Sequence, residues 1–371
     1  MDVLFDDPIL MIRLLRRCRR HRLEVTERNH LSFLTLLDFS NLRLQPPLEH
    51  SSVIRREIER SLFRPLQDLL ARPRKEVRGR LVQLGFELAQ GSGDAIDGDS
   101  EPVEDVDKYL ELCAQAIEAL HTGSLIIDDI EDASEWRRGG LTLHRKYGLP
   151  TALNAGNWLY FLAFEKLRQT RLPVDRKLRL FEMMQTVLLE AHTGQSLDVG
   201  TDISALPIHE IPELCRASLE LKSGALMALA LQMGAVLAGA SGEKIEIVGQ
   251  FGLAFGVSLQ MFDDLGNVRV DRPTAKHLED LALRRPSFVW WALAEEFPQE
   301  LANFKLALEK LPDVSSLSDF LRRVPLIETG FSRALRYQQH CLHDMEKRLH
   351  PAEITQQKIQ ALAERVANAY S

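Results

Sequence analysis

Apolar residues recur at helical spacing along almost the whole chain, and that pattern restricts the fold more than any other feature of the sequence. Tyr109, Cys113, Ile117 and Leu120 fall on one stripe, and Leu180, Met184, Val187 and Leu188 on another. No segment alternates apolar and polar residues as a half-buried strand does. The spacing predicts an all-α protein of ten or more helices. Its turns are expected at Pro46-Pro47, the Gly-Ser-Gly of 91 to 93, Leu149-Pro150 and Leu206-Pro207. The runs Ala225 to Ala240 and Phe251 to Phe262 are apolar around much of their circumference, which predicts central positions.

A length of 371 residues sets a soft expectation of two domains. No linker divides the chain, however, and a single domain over 1–371 is expected, with residues 1–50 as an N-terminal extension. With 45% hydrophobic and 27% charged residues the chain has material for a sizeable core. A formal net charge of −7 argues against nucleic acid as the main partner, so an anionic ligand has to be held by local basic groups. The four cysteines, Cys18, Cys113, Cys215 and Cys341, form no CxxC pair and suggest neither zinc nor a disulfide framework. No apolar run is read as a membrane span, and Asp6 and Asp7 stand ahead of the apolar run that begins at Ile9, without the order of a secretory signal. A cytoplasmic protein without a transmembrane segment is expected. The stretch Ile9 to Leu23 reads as a basic amphipathic helix, taken as packing on its own domain rather than on a lipid surface. Residues 93 to 107 read as a solvated acidic loop.

The chemistry starts in SLIIDDIEDASEWRRGG, residues 124 to 140. On a helix Asp128 and Asp132 are one turn apart on one face with Asp129 beside them, a spacing of like charges that costs roughly 0.2–0.5 kcal/mol per pair. A solvated acidic face is the ordinary explanation of such a run. Here the cluster emerges directly from Leu125, Ile126 and Ile127, which points inward instead. LQMFDDLGN repeats the arrangement: Asp263 and Asp264 leave a core-like helix, and Asn267 stands where Asp132 stands in the first cluster. Oxygen ligands without histidine favour a hard cation that keeps room for water and phosphate, as Mg²⁺ does. Fixed cations for a diphosphate are at hand in Arg137 and Arg138, in Lys75 and Arg78 of RKEVRGR, and in Lys222 of LELKSGALMALAL.

With these residues in view, the sequence resembles the trans-isoprenyl diphosphate synthases, most closely the eukaryotic-type geranylgeranyl diphosphate synthases. The resemblance runs from about Lys75 to Ser287. It is carried by DDIED, the RRG that follows at family spacing, the Tyr147-Gly148 pair, and Asn154 and Asn157. It implies the isoprenoid synthase fold, a single large helical bundle around a central cavity, and a Mg²⁺-dependent prenyltransferase that joins isopentenyl diphosphate to an allylic diphosphate (dimethylallyl, geranyl or farnesyl). Carried over position by position, Asp128, Asp129 and Asp132, with Asp263 of the second motif, become metal ligands. Asp264, Arg137 and Lys222 join them in the catalytic set. Lys75, Arg78, His121 and Arg138 become the isopentenyl diphosphate site, and Gln195, Asp198, Ser223 and Gln260 match further substrate positions. Lys276 lies near a later family lysine with a one-residue slip. The resemblance also implies a homodimer.

Departures fall mainly at the isopentenyl site: Arg74 replaces a glycine, Gly79 the proline after Arg78, and Leu141 the proline of the RRGxP segment. Product length is read one turn back from the first motif, where Gly123 and Ser124 are small. An aromatic there stops family members at farnesyl length, so its absence predicts a longer product. Leu120, one turn deeper, is expected to form the floor and favours geranylgeranyl diphosphate. The rival readings are a longer-chain polyprenyl diphosphate synthase, a terpene cyclase on the same fold, and a non-catalytic partner subunit. A di-iron bundle is a further rival, suggested by Glu118-Ala-Leu-His121 and Glu27-Arg-Asn-His30. The polar setting of the second pair makes it a coincidence, and His144 is read as structural.

Overall fold

The computed structural model describes residues 48–73, 77–91, 105–269 and 277–370. The expected basic helix at Ile9 to Leu23, most of the acidic loop, Lys75 and Lys276 lie outside these residues, as does the side chain of Arg78, whose backbone is described. The chain divides into two compact units, Met1–Pro73 and Arg74–Ser371. In the first unit the Ser51 hydroxyl accepts the Ile54 amide at 3.3 Å and caps α1 (Ser52–Ile58). A π-turn at Glu59–Phe63 leads into α2 (Arg64–Leu70), which has Pro65 in its first turn.

The described residues of the second unit are mostly helical. Its elements are α3 (Val77–Gln90), α4 (Val106–Glu131), a hairpin of β1 (Trp136–Arg137) and β2 (Gly140–Leu141), α5 (Leu143–Tyr147), α6 (Leu149–Arg168) and α7 (Val174–Gly200). There follow α8 (Ile211–Leu219), a π-turn (Glu220–Gly224), α9 (Ala225–Leu237), α10 (Gly242–Val268) and α11 (Glu279–Ala282). The chain ends with α12 (Phe288–Glu296), α13 (Leu301–Leu308), α14 (Ser315–Arg323), α15 (Leu326–Leu349) and α16 (Glu353–Tyr370). Ser241 starts α10 by accepting the Lys244 amide at 3.3 Å.

Nearly every residue of α9 is buried, as its uniformly apolar sequence predicts, because α3 and α10 both pack on it. The α3–α9 crossing is close enough to exclude side chains. A β-carbon at Gly85 would collide with the backbone of Leu231, and one at Gly234 with that of Val82. On length and composition alone Ile211–Leu237 and Gly242–Val268 are apolar enough to cross a membrane, which corrects the expectation that no run reaches that length. Both are largely buried as core helices. A second part of the core gathers Cys215, Phe262, Phe288, Trp290, Phe304 and Phe320. Trp290 is fully buried with its ring edge-on to Phe304 at 5.0 Å, which fixes α12 and the segment just before it.

Candidate active site

The site is assembled where α4 ends. Asp128 and Asp129 occupy its last turn and Asp132 is its C-cap; Ala133, at φ 54°, breaks the helix. Ser134 is buried, its amide donating to the Asp129 carbonyl at 3.0 Å and its carbonyl accepting the Thr142 hydroxyl at 2.8 Å. These bonds hold the base of the hairpin. Its two-residue loop, Arg138-Gly139, has φ 53° and 77°, the primed turn that matches strand twist. The left-handed conformation costs Arg138 on the order of 1 kcal/mol and separates it from Arg137, which stays on the strand and reaches back to α4.

Arg137 donates through Nε to both Asp129 oxygens at 2.9 and 3.0 Å, and through Nη2 to Asp129 and, at 3.3 Å, to Asp128. Burial works against its charge, but Asp129, Asp128 and Glu279 outweigh burial and raise its pKa. Opposite stands Lys222, carried by the π-turn that interrupts α8 and α9; such turns insert one residue and redirect those around it. Its Nζ lies 3.1 Å from Asp128 Oδ1 and 2.7 Å from Asp198 Oδ2. Burial would lower its pKa, and the two aspartates push it well up instead. Gln195 donates to Glu131 at 2.7 Å and to Asp128 at 3.4 Å.

Arg285, which sequence reasoning passed over, completes the arrangement. Nearly buried, it donates from Nη2 to Asp132 Oδ1 at 2.9 Å and from Nη1 to the Asp198 carbonyl at 3.0 Å, while its buried Nε has no partner. Asp128, Lys222, Asp198, Arg285 and Asp132 thus form one connected strut across the end of α4. The available signal was an arginine separated from the apolar run FVWWALA by only Pro286 and Ser287, close to a segment that has to lie in the core.

The second aspartate pair is divided. Asp264 is buried, accepting Gln260 Nε2 at 2.8 Å and the Phe288 amide at 2.7 Å, so it caps α12. Burial, with Asp280 and Asp263 adding to it, raises its pKa well above the carboxylate range, while the two donors pull the other way. Asp263 is half-buried beside it. Ser223 donates to Gln260 Oε1 at 2.8 Å, so Ser223, Gln260 and Asp264 form a relay from the π-turn to α12.

Among the expected floor residues Leu120 is buried, and Ser124 donates to the His121 carbonyl at 2.9 Å. Gly123 is small for a second reason, because it lies in the crossing of α4 and α6. A β-carbon there would stand 2.9 Å from the Gly156 carbonyl and 3.3 Å from the Tyr160 ring. Tyr160, also missed from the sequence, meets His192 edge-on at 5.4 Å. Burial, then Glu131 and Asp128, raise the pKa of its hydroxyl. Tyr160 therefore lies within the field of the first motif. His121 is half-buried, and Glu118, one turn before it, accepts the Gly79 amide at 3.1 Å.

Among the described residues no three His, Cys, Asp or Glu side chains stand close enough together to hold an ion. Each aspartate of the first motif, Asp128, Asp129 and Asp132, is engaged by a cation of the protein, both oxygens of Asp129 by Arg137. The donors are oxygen-only, which suits a hard cation, and their present partners are the groups a diphosphate would draw away.

A profile of the polyprenyl synthetase family matches residues 59–322, more than half of the chain. A geranylgeranyl pyrophosphate synthase of Penicillium janthinellum is 32% identical over 206 residues, covering 55% of this chain and 50% of the relative. A geranylfarnesyl diphosphate synthase of Natronomonas pharaonis is 36% identical over 153 residues, covering 41% and 44%. The chain thus spans about half the length of these curated relatives. In fold it is similar to a geranylgeranyl pyrophosphate synthase of Corynebacterium glutamicum, solved with isoprenyl diphosphate and magnesium (TM-score 0.73, 20% identity, 92% of this chain and 97% of that one). It is similar too to a heptaprenyl diphosphate synthase of Staphylococcus aureus (TM-score 0.68, 19% identity, 93% and 98%).

Proposed function

The chain belongs to the polyprenyl synthetase family, and on that premise we propose that it is a Mg²⁺-dependent trans-prenyltransferase condensing isopentenyl diphosphate with an allylic diphosphate, with geranylgeranyl diphosphate as product. The observation that carries the reading is the pairing of the first aspartate motif with three cations, Arg137, Lys222 and Arg285, on separate elements. Asp128, Asp132 and Asp263 would hold Mg²⁺, with Asp129 anchoring Arg137. When bound, the ion supplies Lewis-acid stabilisation of charge on the leaving diphosphate.

The protein's own groups do the remainder. Arg137 and Lys222 exchange carboxylate for phosphate oxygens and stabilise the charge that builds as the allylic C–O bond breaks, its electron pair leaving with the diphosphate. Lys75, Arg78, His121 and Arg138 hold isopentenyl diphosphate so that its double bond attacks the allylic carbon. The proton lost after the new C–C bond forms passes to the released diphosphate, so no side chain is assigned as general base. Leu120, Ser124 and Tyr160 are proposed to form the floor below the first motif, with Tyr160 braced edge-on by His192. With no aromatic at 123 or 124, that floor lies deeper than one suited to farnesyl length, and the names of the relatives support a longer product.

A homodimer belongs to the same proposal. Leu149, Leu153 and Phe161 lie four or eight residues apart on one face of α6, with Leu178 and Leu189 on α7, and Phe161 is 73% exposed. A cytoplasmic location is also proposed, supported by the unpaired, buried thiols of Cys113, Cys215 and Cys341. The test is incubation with Mg²⁺, isopentenyl diphosphate and, separately, dimethylallyl, geranyl and farnesyl diphosphates, with products sized by mass spectrometry. A geranylgeranyl product supports the reading, a longer chain corrects the length alone, and cyclised hydrocarbon without isopentenyl diphosphate replaces the reading with a cyclase.

A further inference from the structure

Ser134 lies just beyond the first aspartate motif and is 3% exposed. Its amide, carbonyl and hydroxyl reach separate elements. The amide donates to the Asp129 carbonyl of α4 at 3.0 Å, and the carbonyl accepts the Thr142 hydroxyl at the base of the hairpin at 2.8 Å. The hydroxyl donates to Glu279 Oε1 of α11 at 2.5 Å, across 145 residues of sequence, a length usual for a hydroxyl that meets a carboxylate.

The residues on either side of Glu279 address the second motif. The Leu278 amide donates at 3.0 Å to the carbonyl of Asn267, in the last turn of α10. Asp280 acts on Asp264, whose pKa it raises, and its carbonyl accepts the Arg285 amide at 2.8 Å. Leu278 is buried and has φ 61°, a left-handed conformation that a bulky residue keeps only where its neighbours over-determine it. Consecutive residues of one short segment thus tie the end of α4 to the end of α10, Glu279 on the first motif and Leu278 and Asp280 on the second.

We infer that Ser134 is a positioning residue whose hydroxyl, through α11, fixes the first aspartate motif relative to the second so that both address one metal-bound diphosphate, a role resting on the prenyltransferase reading above. Losing the hydroxyl leaves the amide and carbonyl bonds of Ser134 in place, so the hairpin and its Arg138 turn should hold while the spacing of the two motifs relaxes. Glu279 has further interactions, its charge being among those that raise the pKa of Arg137. A change at Ser134 removes the tie and keeps that carboxylate.

The experiment compares the full-length wild type with Ser134→Ala by steady-state kinetics, each substrate varied at saturating levels of the other, and by calorimetric titration of inorganic diphosphate at fixed Mg²⁺. Ser134→Ala is expected to raise the KM for the allylic diphosphate and the Kd for inorganic diphosphate about tenfold each, the scale of one charge-assisted hydrogen bond. The KM for isopentenyl diphosphate should stay within about twofold, whereas general loosening of the fold would raise both KM values together. Ser134→Cys keeps the shape with a weaker donor; it should fall between the two and stands in as the test if Ser134→Ala fails to fold. In Glu279→Gln, where the bond from Ser134 is no longer charge-assisted, Ser134→Ala should add less than about fourfold. A wild type that elongates, with a Ser134→Ala variant that keeps its allylic KM and diphosphate Kd or raises both KM values alike, overturns this inference alone. A wild type that neither elongates nor binds diphosphate with Mg²⁺ overturns the reading beneath it as well.

Discussion

Replacing Arg285 with methionine keeps most of its aliphatic volume and removes the guanidinium that joins Asp132 to the Asp198 carbonyl. The Asp132 side chain is 4% exposed and that of Arg285 10%, so the change leaves a carboxylate in the interior without the cation that faces it. Breaking a buried pair in this way costs roughly 3–5 kcal/mol. An unfolding entropy of about 2.1 cal/mol/K per residue over Arg74–Ser371 converts that loss to a fall in Tm of roughly 5–8 °C. The assay is thermal unfolding in chelator and then in a Mg²⁺ titration. Without metal the variant should melt lower by that amount. With Mg²⁺ it should recover more than the wild type gains, because Arg285 then no longer competes for Asp132. Arg285→Lys, which keeps charge but not the two-pronged geometry, should fall between the two. Equal stabilisation of wild type and Arg285→Met by Mg²⁺ would refute the assignment of Asp132 to the metal, and an unshifted Tm in chelator would refute the strut itself.

Tyr160→Ala should lengthen the product by at least one isoprene unit by mass spectrometry, and an unchanged product would put the floor elsewhere. Gly234→Ala drives a β-carbon into the backbone at Val82 and should cost more than about 3 kcal/mol in a urea melt, with a normal melt showing that the α3–α9 crossing can open. Phe161→Glu should shift the chain toward monomer in analytical ultracentrifugation if the exposed face of α6 is the dimer contact. His144 has a buried Nδ1 without a partner; burial, with help from Arg145 and against Asp129, lowers its pKa. Because the folded state resists the proton, this group's contribution is full above the ordinary histidine pKa of about 6.5 and is lost as pH falls below it, so His144→Gln should lose less stability than the wild type from about pH 7.5 to 5.5.

Local chemistry was legible in the sequence wherever the partners are close in the chain. Asp128, Asp129 and Arg137 fall within one helix end and one hairpin, and their charges and the Arg138-Gly139 turn can be read directly. Arg285 was not legible because its partner Asp132 lies 153 residues away and a tandem arginine ordinarily marks a solvated surface. Tyr160 reads as one more aromatic on a helix, and only the close approach of Gly123 and Gly156 brings its ring under the first motif. The π-turn that presents Lys222 leaves no mark on the apolar pattern, since one extra residue shifts a stripe by less than sequence scatter does.

The doubled aspartates show what pattern reading cannot divide. Both pairs suggest two equivalent ligands, yet neighbouring residues on a helix point about 100° apart, so only one of two can face a cavity squarely. In each pair the second aspartate is the interior one, Asp129 at 3% and Asp264 at 4% exposure. Asp129 is spent on Arg137 and Asp264 on Gln260 and the amide that opens α12. The first of each pair, Asp128 and Asp263, is half-buried, and Asp128 already meets Lys222 and Gln195 from across the bundle. The two members of each motif therefore stand differently: the second is held in the interior, while the first is the more exposed and is the one left for the ligand proposed above. Asp264→Asn should accordingly damage the packing of α12 before it damages metal binding, and Asp263→Asn should do the opposite.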